Sequence, residues 1–546
     1  MTDLKSGQPT ELRQKKLILF EFLLLMLLHV IFTFAGFYGN DDVNYARYAS
    51  EIVHNGISFS PAVDQYQLRW ATVYSTAFFY WLFGINTFTS TLSSVISFSL
   101  CGVLLYKILR LKNNGIYFLG MVLFFFSRSV IFYSHRLLPD PTMCFAIFWM
   151  YYSYRCCTLK KQRYYLYGIQ FFLALSLAII TKATIIIAFP LFFIFFLRDI
   201  FKKQNFEFWK IAILLTLLFS FVYLLYFKIT TGDFFYRYSL LLKKSYFNEC
   251  SFDKLPFIFT LKRIGYELWR AMLLNGDLLV LLPGVASVFY RKKIEFTGVK
   301  RIDTFSFIVL LGCANFMTIS FSSYVPLCQS PRHFLFLFPF AAITGAPMLY
   351  AYFKQPEKFI VLPLLLAIAT AIIFSINEGS TKYLYLLFTL LLFGCYIFSI
   401  FKNKVFFYTY SVFLITVLFF ANYLADFVKP MYPYYWDQKV VIEKTFAGKN
   451  TTATIFSSDA LSGELSEFFL KFETGNLKIY PMDSVKIINK GTLYFLLNRE
   501  INPAAAKTAD SLMIKDKNSS IFLIYRKNNV CLYEVNDSTL QILNKN

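Results

Sequence analysis

Apolar residues run in long blocks along most of this chain, and short clusters of basic residues separate the blocks. An α-helix needs about 20 mostly apolar residues to cross a bilayer. Runs near that length fall at 17–37, 88–109, 115–134, 141–157, 209–229, 272–290, 304–322, 333–353, 359–376, 383–401 and 405–424. The stretch 164–197 is too long for one crossing and reads as two short spans bent near Thr181 and Lys182, so about thirteen crossings are predicted. From Ala425 onward the pattern changes. Charged residues become frequent, and apolar residues come in short β-rich runs at 454–456, 477–480, 493–497, 521–525 and 530–535. Gly475-Asn476, Lys490-Gly491 and Asn528-Asn529 supply turn signals between them, and a helix is predicted near 462–472. The pattern predicts an all-α polytopic membrane module over 1–424, with outer loops at 38–87 and 230–271, followed by a soluble α/β domain over 425–546.

Composition agrees with a membrane solvent. Of 546 residues, 57% are apolar and only 16% charged, against about 25% charged in an average soluble domain. That balance excludes a single soluble domain, a disordered chain and a nucleic-acid-binding module. The net charge of +22 reads as topology, because the basic residues fall mostly between spans. Lys15, Lys16, Arg110, Lys112, Lys160, Lys161, Arg163, Arg198, Lys202, Lys203, Arg291 to Lys293, Lys300, Arg301, Lys354, Lys358, Lys402 and Lys404 all fall on one side if the crossings alternate. That side is then cytoplasmic, with the N-terminus on it and the C-terminal domain extracytoplasmic. The loop 230–271 misfits, carrying Arg237, Lys243, Lys244, Lys254, Lys262, Arg263 and Arg270. It reads as an interfacial helix on anionic lipid, as a basic rim that draws a phosphate, or as a sign that the topology differs here. The first run is long enough to span and lacks a small-residue cleavage site. Nine cysteines show no C-x-x-C pair; Cys250 and Cys328 fall in outer loops where they are able to pair, and most others lie in apolar runs as small core residues.

Four segments hold candidate chemistry. Asn40-Asp41-Asp42 opens the first outer loop ahead of an amphipathic stretch in which Ala46, Ala49, Ile52 and Val53 sit at helical spacing. Carboxylates there serve as helix caps, or hold a general base at the water–membrane boundary that takes a proton from a hydroxyl. The loop continues through Asp64, Gln65 and Arg69 to an aromatic stretch over 70–83, and Arg69 reads as a snorkelling side chain or a phosphate ligand. Arg136-Leu137-Leu138-Pro139-Asp140-Pro141 is ordinary helix-start grammar, and its Arg and Asp are also close enough in sequence to pair. Lys182 lies between two short apolar runs, where a charge is expensive and functional by default. Ser330-Pro331-Arg332-His333 opens a later span on the Asp41 side, and its Arg is suited to holding phosphate. The four His show no metal-ligand spacing, Glu51, His54, His135 and His333 form only a scattered set, and no P-loop, G-x-G-x-x-G or G-x-S-x-G is present.

The order of these motifs resembles the GT-C membrane glycosyltransferases, most of all the branch with protein O-mannosyltransferases and bacterial lipid A aminoarabinose transferases (glycosyltransferase families 39 and 83). Asp41-Asp42-Val43-Asn44-Tyr45-Ala46 is similar to an Asp-Glu-x-x-Tyr-Ala pattern, Tyr80-Trp81-Leu82-Phe83-Gly84 to the segment closing the first loop, and Leu138-Pro139-Asp140-Pro141 and Thr181-Lys182 follow in the same order. The resemblance covers most of residues 17–350. It implies a GT-C fold in a bacterial plasma membrane and a polyprenyl-phosphate-sugar donor. The sugar passes, with inversion, to a lipid, glycan or protein acceptor on the extracytoplasmic face. By position it implies Asp41 as the catalytic carboxylate and Asp140 as its support or the acceptor's. Asp42, which stands where the pattern has Glu, and Tyr45 then support the loop and acceptor. Arg69, Lys182, Arg332 and His333 fall to the donor phosphate. Leu68 replaces a metal-binding Glu found in some relatives, so no metal is expected, although a divalent ion stays open; no nucleic-acid partner is expected. Two other classes compete. A transporter or flippase also suits Lys182, Asp140 and the broken helix, although no matching halves are visible. A ligase moving a whole glycan from a diphosphate carrier shares the basic residues without needing the early acidic loop.

Overall fold

The computed structural model describes residues 36–37, 39–57, 64–109, 114–242, 255–294, 300–320, 324–376, 379–399, 434–449, 452–482, 491–515 and 521–544, with isolated positions between 16 and 28 and at 252, 416 and 432. The runs at 17–37 and 405–424 lie almost wholly outside these residues. Two helices fill much of the first outer loop, α1 (Asn40–Asn55) and α2 (Trp70–Phe83). The bundle then runs α3 (Thr87–Leu109), α4 (Asn114–Phe125), α5 (Arg128–Ser134), α6 (Asp140–Lys160), α7 (Tyr164–Thr181), α8 (Phe189–Phe201), α9 (Phe206–Thr231), α10 (Leu278–Phe289), α11 (Arg301–Phe316), α12 (Phe338–Lys354), α13 (Val361–Ile376) and α14 (Thr381–Ser399).

Among the described residues five helices are long and apolar enough to cross a membrane, or six if α4 and α5, bent by 59°, count as one broken span. The run at 141–157 becomes the 21-residue α6, which carries Asp140, Arg155 and Lys160 and is less apolar, while two other runs are cut short. The run at 272–290 is interrupted at Asp277, and the run at 304–322 stops at Phe316. The run at 164–197 breaks where expected: α7 ends at Thr181, Lys182 is extended (φ −158, ψ 140), and a 3-10 turn over Ala183–Ala188 leads into α8.

The helix α12 is buried from Phe338 to Phe353, and α3, α4, α10 and α11 pack around it. Small residues set the closest approach. A Cβ on Gly345 would lie 3.1 Å from the Pro283 side chain and 3.2 Å from the Gly284 backbone, the kind of contact that lets helix backbones meet where lipid supplies no hydrophobic drive between them. By contrast, α9 lies at the rim and exposes Leu214, Leu217, Leu218 and Phe221.

The C-terminal segment folds as a five-stranded sheet of order β2-β1-β3-β5-β4, from β1 (Ala453–Ser457), β2 (Leu477–Pro481), β3 (Thr492–Asn498), β4 (Ile521–Lys527) and β5 (Val530–Val535). The central strand β1 pairs parallel with β2 and β3, Ala453 facing Leu477 and Thr492. It is buried along its whole length, which is why its sequence lacks strict alternation. The β4–β5 hairpin turns at Asn528 (φ 49). Four helices accompany the sheet: α15 (Tyr435–Phe446), α16 (Ala460–Phe469), α17 (Pro503–Lys515) and α18 (Asp537–Asn544). The helix expected at 462–472 is α16, which starts earlier because Asp459 caps it through Ser462 N (2.8 Å) and ends earlier because Lys471 and Phe472 turn left-handed. The other three go beyond the sequence expectation. Cys328 is disulfide-bonded, and Cys250 lies outside the described residues.

Candidate active site

The acidic arm is built first. Asp41 and Asp42 lie in the first turn of α1, and Ala46 and Ala49, on the face expected to be apolar, are fully buried. Asp42 is also fully buried. Asp64 shapes the loop beyond: its carboxylate accepts from the backbone N–H groups of Tyr66 (2.7 Å) and Gln67 (3.2 Å) and from the Tyr48 hydroxyl (2.6 Å). That turn brings the Tyr66 hydroxyl to Asp41, to which it donates at 2.7 Å. The other Asp41 oxygen accepts from Arg332 Nη1 at 2.5 Å. Arg332 is delivered by the 3-10 turn that Ser330 and Pro331 initiate. Burial pushes the Asp41 carboxyl up, but the charges of Arg332 and Arg69 and the hydrogen bonds from Tyr66 and Arg332 outweigh it, so the group sits below its ordinary value and stays ionised.

Arg69 immediately precedes α2, with its guanidinium 5.4 Å from the Tyr45 ring centroid and 5.5 Å from that of Tyr66. These two rings meet edge to face, and such a cradle fixes a cation without neutralising it. Tyr45 is buried, and its hydroxyl has no hydrogen-bond partner among the described residues.

The second carboxylate opens α6. Ser94 accommodates the short loop before it by donating to the Arg136 carbonyl at 2.5 Å, and Ser97 meets Thr142 at 3.0 Å. Asp140 Oδ1 accepts from Lys182 Nζ at 2.7 Å, and that Nζ lies 3.1 Å from His333 Nδ1. Both partners of this ion pair are buried, at 9% and 6% side-chain exposure. The break between α7 and α8 is what turns Lys182 inward. Asp140 is thus held by Lys182, while Arg136 donates to the Gly36 carbonyl and lies over the Phe132 ring. The two carboxylates share one electrostatic neighbourhood: both act on Arg332, and both act on Arg69.

Seven of the eight residues singled out in the sequence, Asp41, Tyr45, Arg69, Asp140, Lys182, Arg332 and His333, come together in this region, whereas the buried Asp42 acts on Tyr80 and Tyr435. Tyr66 and Arg237 join it. Tyr66 sits among many aromatic residues, and no sequence signal separates it from them. Arg237 comes from the misfitting loop 230–271: it donates to the Ile179 carbonyl and, at 2.8 Å, accompanies Tyr223 OH. Its loop neighbour Arg263 is instead a strut, buried against Asn315 and the Leu327 carbonyl. Lys243, Lys244 and Lys254 lie outside the described residues. Leu68 is buried, and among the described residues no group of three or more His, Cys, Asp or Glu side chains is placed to hold a metal ion.

An apolar groove of about 560 Å³ adjoins the cluster, walled by residues of α6, α7, α8 and α9. Ile179, Ile185 and Ile186 on its wall bracket Lys182 in sequence, and Thr184 between them lines the small cavity beside Asp140, Arg332 and His333. Phe189, Phe193 and Leu217 on its rim are exposed, so the groove opens on the lipid-facing perimeter.

The fold is that of the GT-C membrane glycosyltransferases. The chain is similar over nearly its whole length to ArnT from Cupriavidus metallidurans. The TM-score is 0.56 to ArnT bound to undecaprenyl phosphate, at 12% identity over 96% of this chain and 98% of that one. It is 0.57 to ArnT in the apo state, at 12% identity over 97% and 99%. Neither a protein-family model nor a curated protein matches the sequence.

Proposed function

We propose that this chain is an integral membrane glycosyltransferase that moves a sugar from a polyprenyl-phosphate donor to an acceptor, with inversion, on the extracytoplasmic face of a bacterial plasma membrane. The observation that carries the reading is the meeting of Asp41 with Arg332, 291 residues later, at 2.5 Å, beside a cradled Arg69 and at the end of an apolar groove. ArnT, whose fold this chain shares, binds undecaprenyl phosphate.

Each part has a chemical task. Asp41 takes the proton of the acceptor hydroxyl as its oxygen attacks the anomeric carbon. The bond between that carbon and the phosphate oxygen breaks with its electron pair, and the phosphate leaves on the carrier. Arg69, Lys182 and Arg332 face the negative charge that builds there, already oriented before the reaction begins. Asp140 and His333 hold the Lys182 ammonium in place. The groove between α7, α8 and α9 takes the polyprenyl chain.

Mass spectrometry of the lipid that co-purifies with the protein identifies the donor; a polyprenyl phosphate bearing one sugar is expected. Membranes carrying Asp41→Asn are expected to lose transfer, and persistent transfer refutes the base assignment. The buried Lys182–Asp140 pair at a helix break also suits a transport path. That reading requires solute movement in vesicles with no new glycosidic product.

A further inference from the structure

The sheet-bearing C-terminal unit touches the segment that carries Asp41 at both of its ends. Arg47, on α1, donates to Glu467 of α16 at 2.8 Å and to Asn44 at 3.2 Å, and its guanidinium lies 5.9 Å from the Phe472 ring. Glu464, one turn earlier on α16, adds a second carboxylate to the field of Arg47, and its Oε2 is buried without a hydrogen-bond partner among the described residues. In the last turn of α1, His54 Nδ1 lies 3.6 Å from Glu473. The approach to α1 is fixed as well. Phe37 packs on Phe468 with ring centroids 4.4 Å apart. Gly36 has φ +73, and the Tyr435 ring stands 2.8 Å from where a Cβ would be. Tyr435 OH also meets Thr87 Oγ1 of α3 at 3.0 Å. By contrast, Arg69, Lys182 and Arg332 are positioned by α2, the α7–α8 break and the turn before α12.

From this asymmetry we propose that Glu467 is a positioning residue for Asp41: it holds α1 through Arg47, so that the site is completed by a residue 420 positions beyond Arg47 in the chain. The inference rests on the glycosyltransferase reading for what Asp41 does, but not for where Asp41 is held. Loosening α1 moves the carboxylate away from the acceptor and slackens the Tyr45 side of the Arg69 cradle, while Lys182, Arg332 and the groove stay on elements that α1 does not carry. Turnover then falls far more than the affinity for the carrier phosphate.

The test uses full-length protein in lipid nanodiscs, as wild type, Arg47→Glu, Glu467→Arg and the exchanged pair carrying both. Three quantities are read: transfer from the sugar-charged carrier lipid extracted from the same membranes, affinity for undecaprenyl phosphate, and amide hydrogen exchange over residues 40–55. Each single variant is expected to lose roughly 10- to 100-fold in turnover, the scale of a small misplacement of a reacting group. Undecaprenyl phosphate affinity is expected to change by less than about threefold, far less than turnover, and α1 exchange to quicken. The exchanged pair is expected to restore both turnover and protection. Glu467→Gln, which keeps the shape and removes the charge, serves if Glu467→Arg does not fold. Unchanged turnover in the single variants, or an exchanged pair no better than either of them, overturns the inference. A wild type that transfers nothing and binds no undecaprenyl phosphate overturns the functional reading instead, and the exchange data still decide whether Glu467 holds α1.

Discussion

Two ion pairs stand side by side in this site, and they differ in their contact with water. In Asp41–Arg332 each side chain keeps 23% of its exposure; in Asp140–Lys182 neither exceeds 9%. The first pair draws its members from a loop helix and a short 3-10 turn, the second from a helix start and a break inside the bundle. A charge pair reachable from water can exchange one partner for a substrate at small cost, because solvent covers whichever group is released. A buried pair cannot, because loss of either member strands the other in a medium of low dielectric. The open pair is therefore suited to chemistry and the closed pair to holding the shape and field in which that chemistry runs.

The contrast is open to attack by substitution. The largest expected effect is on turnover from Asp41→Asn, a loss on the order of 10²- to 10⁴-fold, with a melting curve close to wild type. A melt that collapses with activity breaks the distinction. Lys182→Met is expected to cost about 3–5 kcal/mol of stability by leaving the Asp140 carboxylate unpaired, read by thermal unfolding in detergent; the double change with Asp140→Asn recovers much of that loss. Acidity sharpens the difference further. The Asp41 carboxyl is held below its ordinary value, so the pair contributes fully above the ordinary carboxylate pKa and is lost only as pH falls through the depressed one. The acid limb of the rate profile is then expected below the usual carboxylate range, and Arg332→Gln is expected to move it upward as burial takes over. A limb that stays put in this variant assigns it to another group. The smallest effect is expected from Tyr66→Phe, which removes one hydrogen bond to a charged group worth about 1.5–3 kcal/mol at most and leaves the ring against Arg69. Turnover is read at saturating acceptor.

Much of the bundle was legible because a membrane imposes one length on every crossing element, and a run of apolar residues records that length directly. The break at Lys182 was legible for a related reason, since 164–197 exceeds one crossing and contains a single charge at its middle. The candidate residues were legible as types at helix starts. Their pairing was not: Asp140 follows Arg136 closely in sequence, yet it is held by Lys182, because α6 and α7 pack side by side and aim the break at the start of α6. Tyr66 was invisible because a hydroxyl among 38 tyrosines acquires meaning only once Asp64 has bent the loop. The strands after Ala425 showed as β-rich runs, but the parallel pairing of β1 with both β2 and β3 depends on crossovers that no short pattern encodes. Helix α15 escaped because its aromatic and polar residues carry little periodic contrast, and Tyr435 is buried against Gly36 and Thr87 rather than against its own sheet.

The sideways mouth of the groove between α7, α8 and α9 has a kinetic consequence. On the proposed function, a carrier that enters through Phe189, Phe193 and Leu217 would keep its tail among acyl chains throughout, and its encounter with the protein would be a search in two dimensions. Saturation would then be governed by the carrier's mole fraction among the surrounding phospholipids, and diluting vesicles in buffer would leave it unchanged.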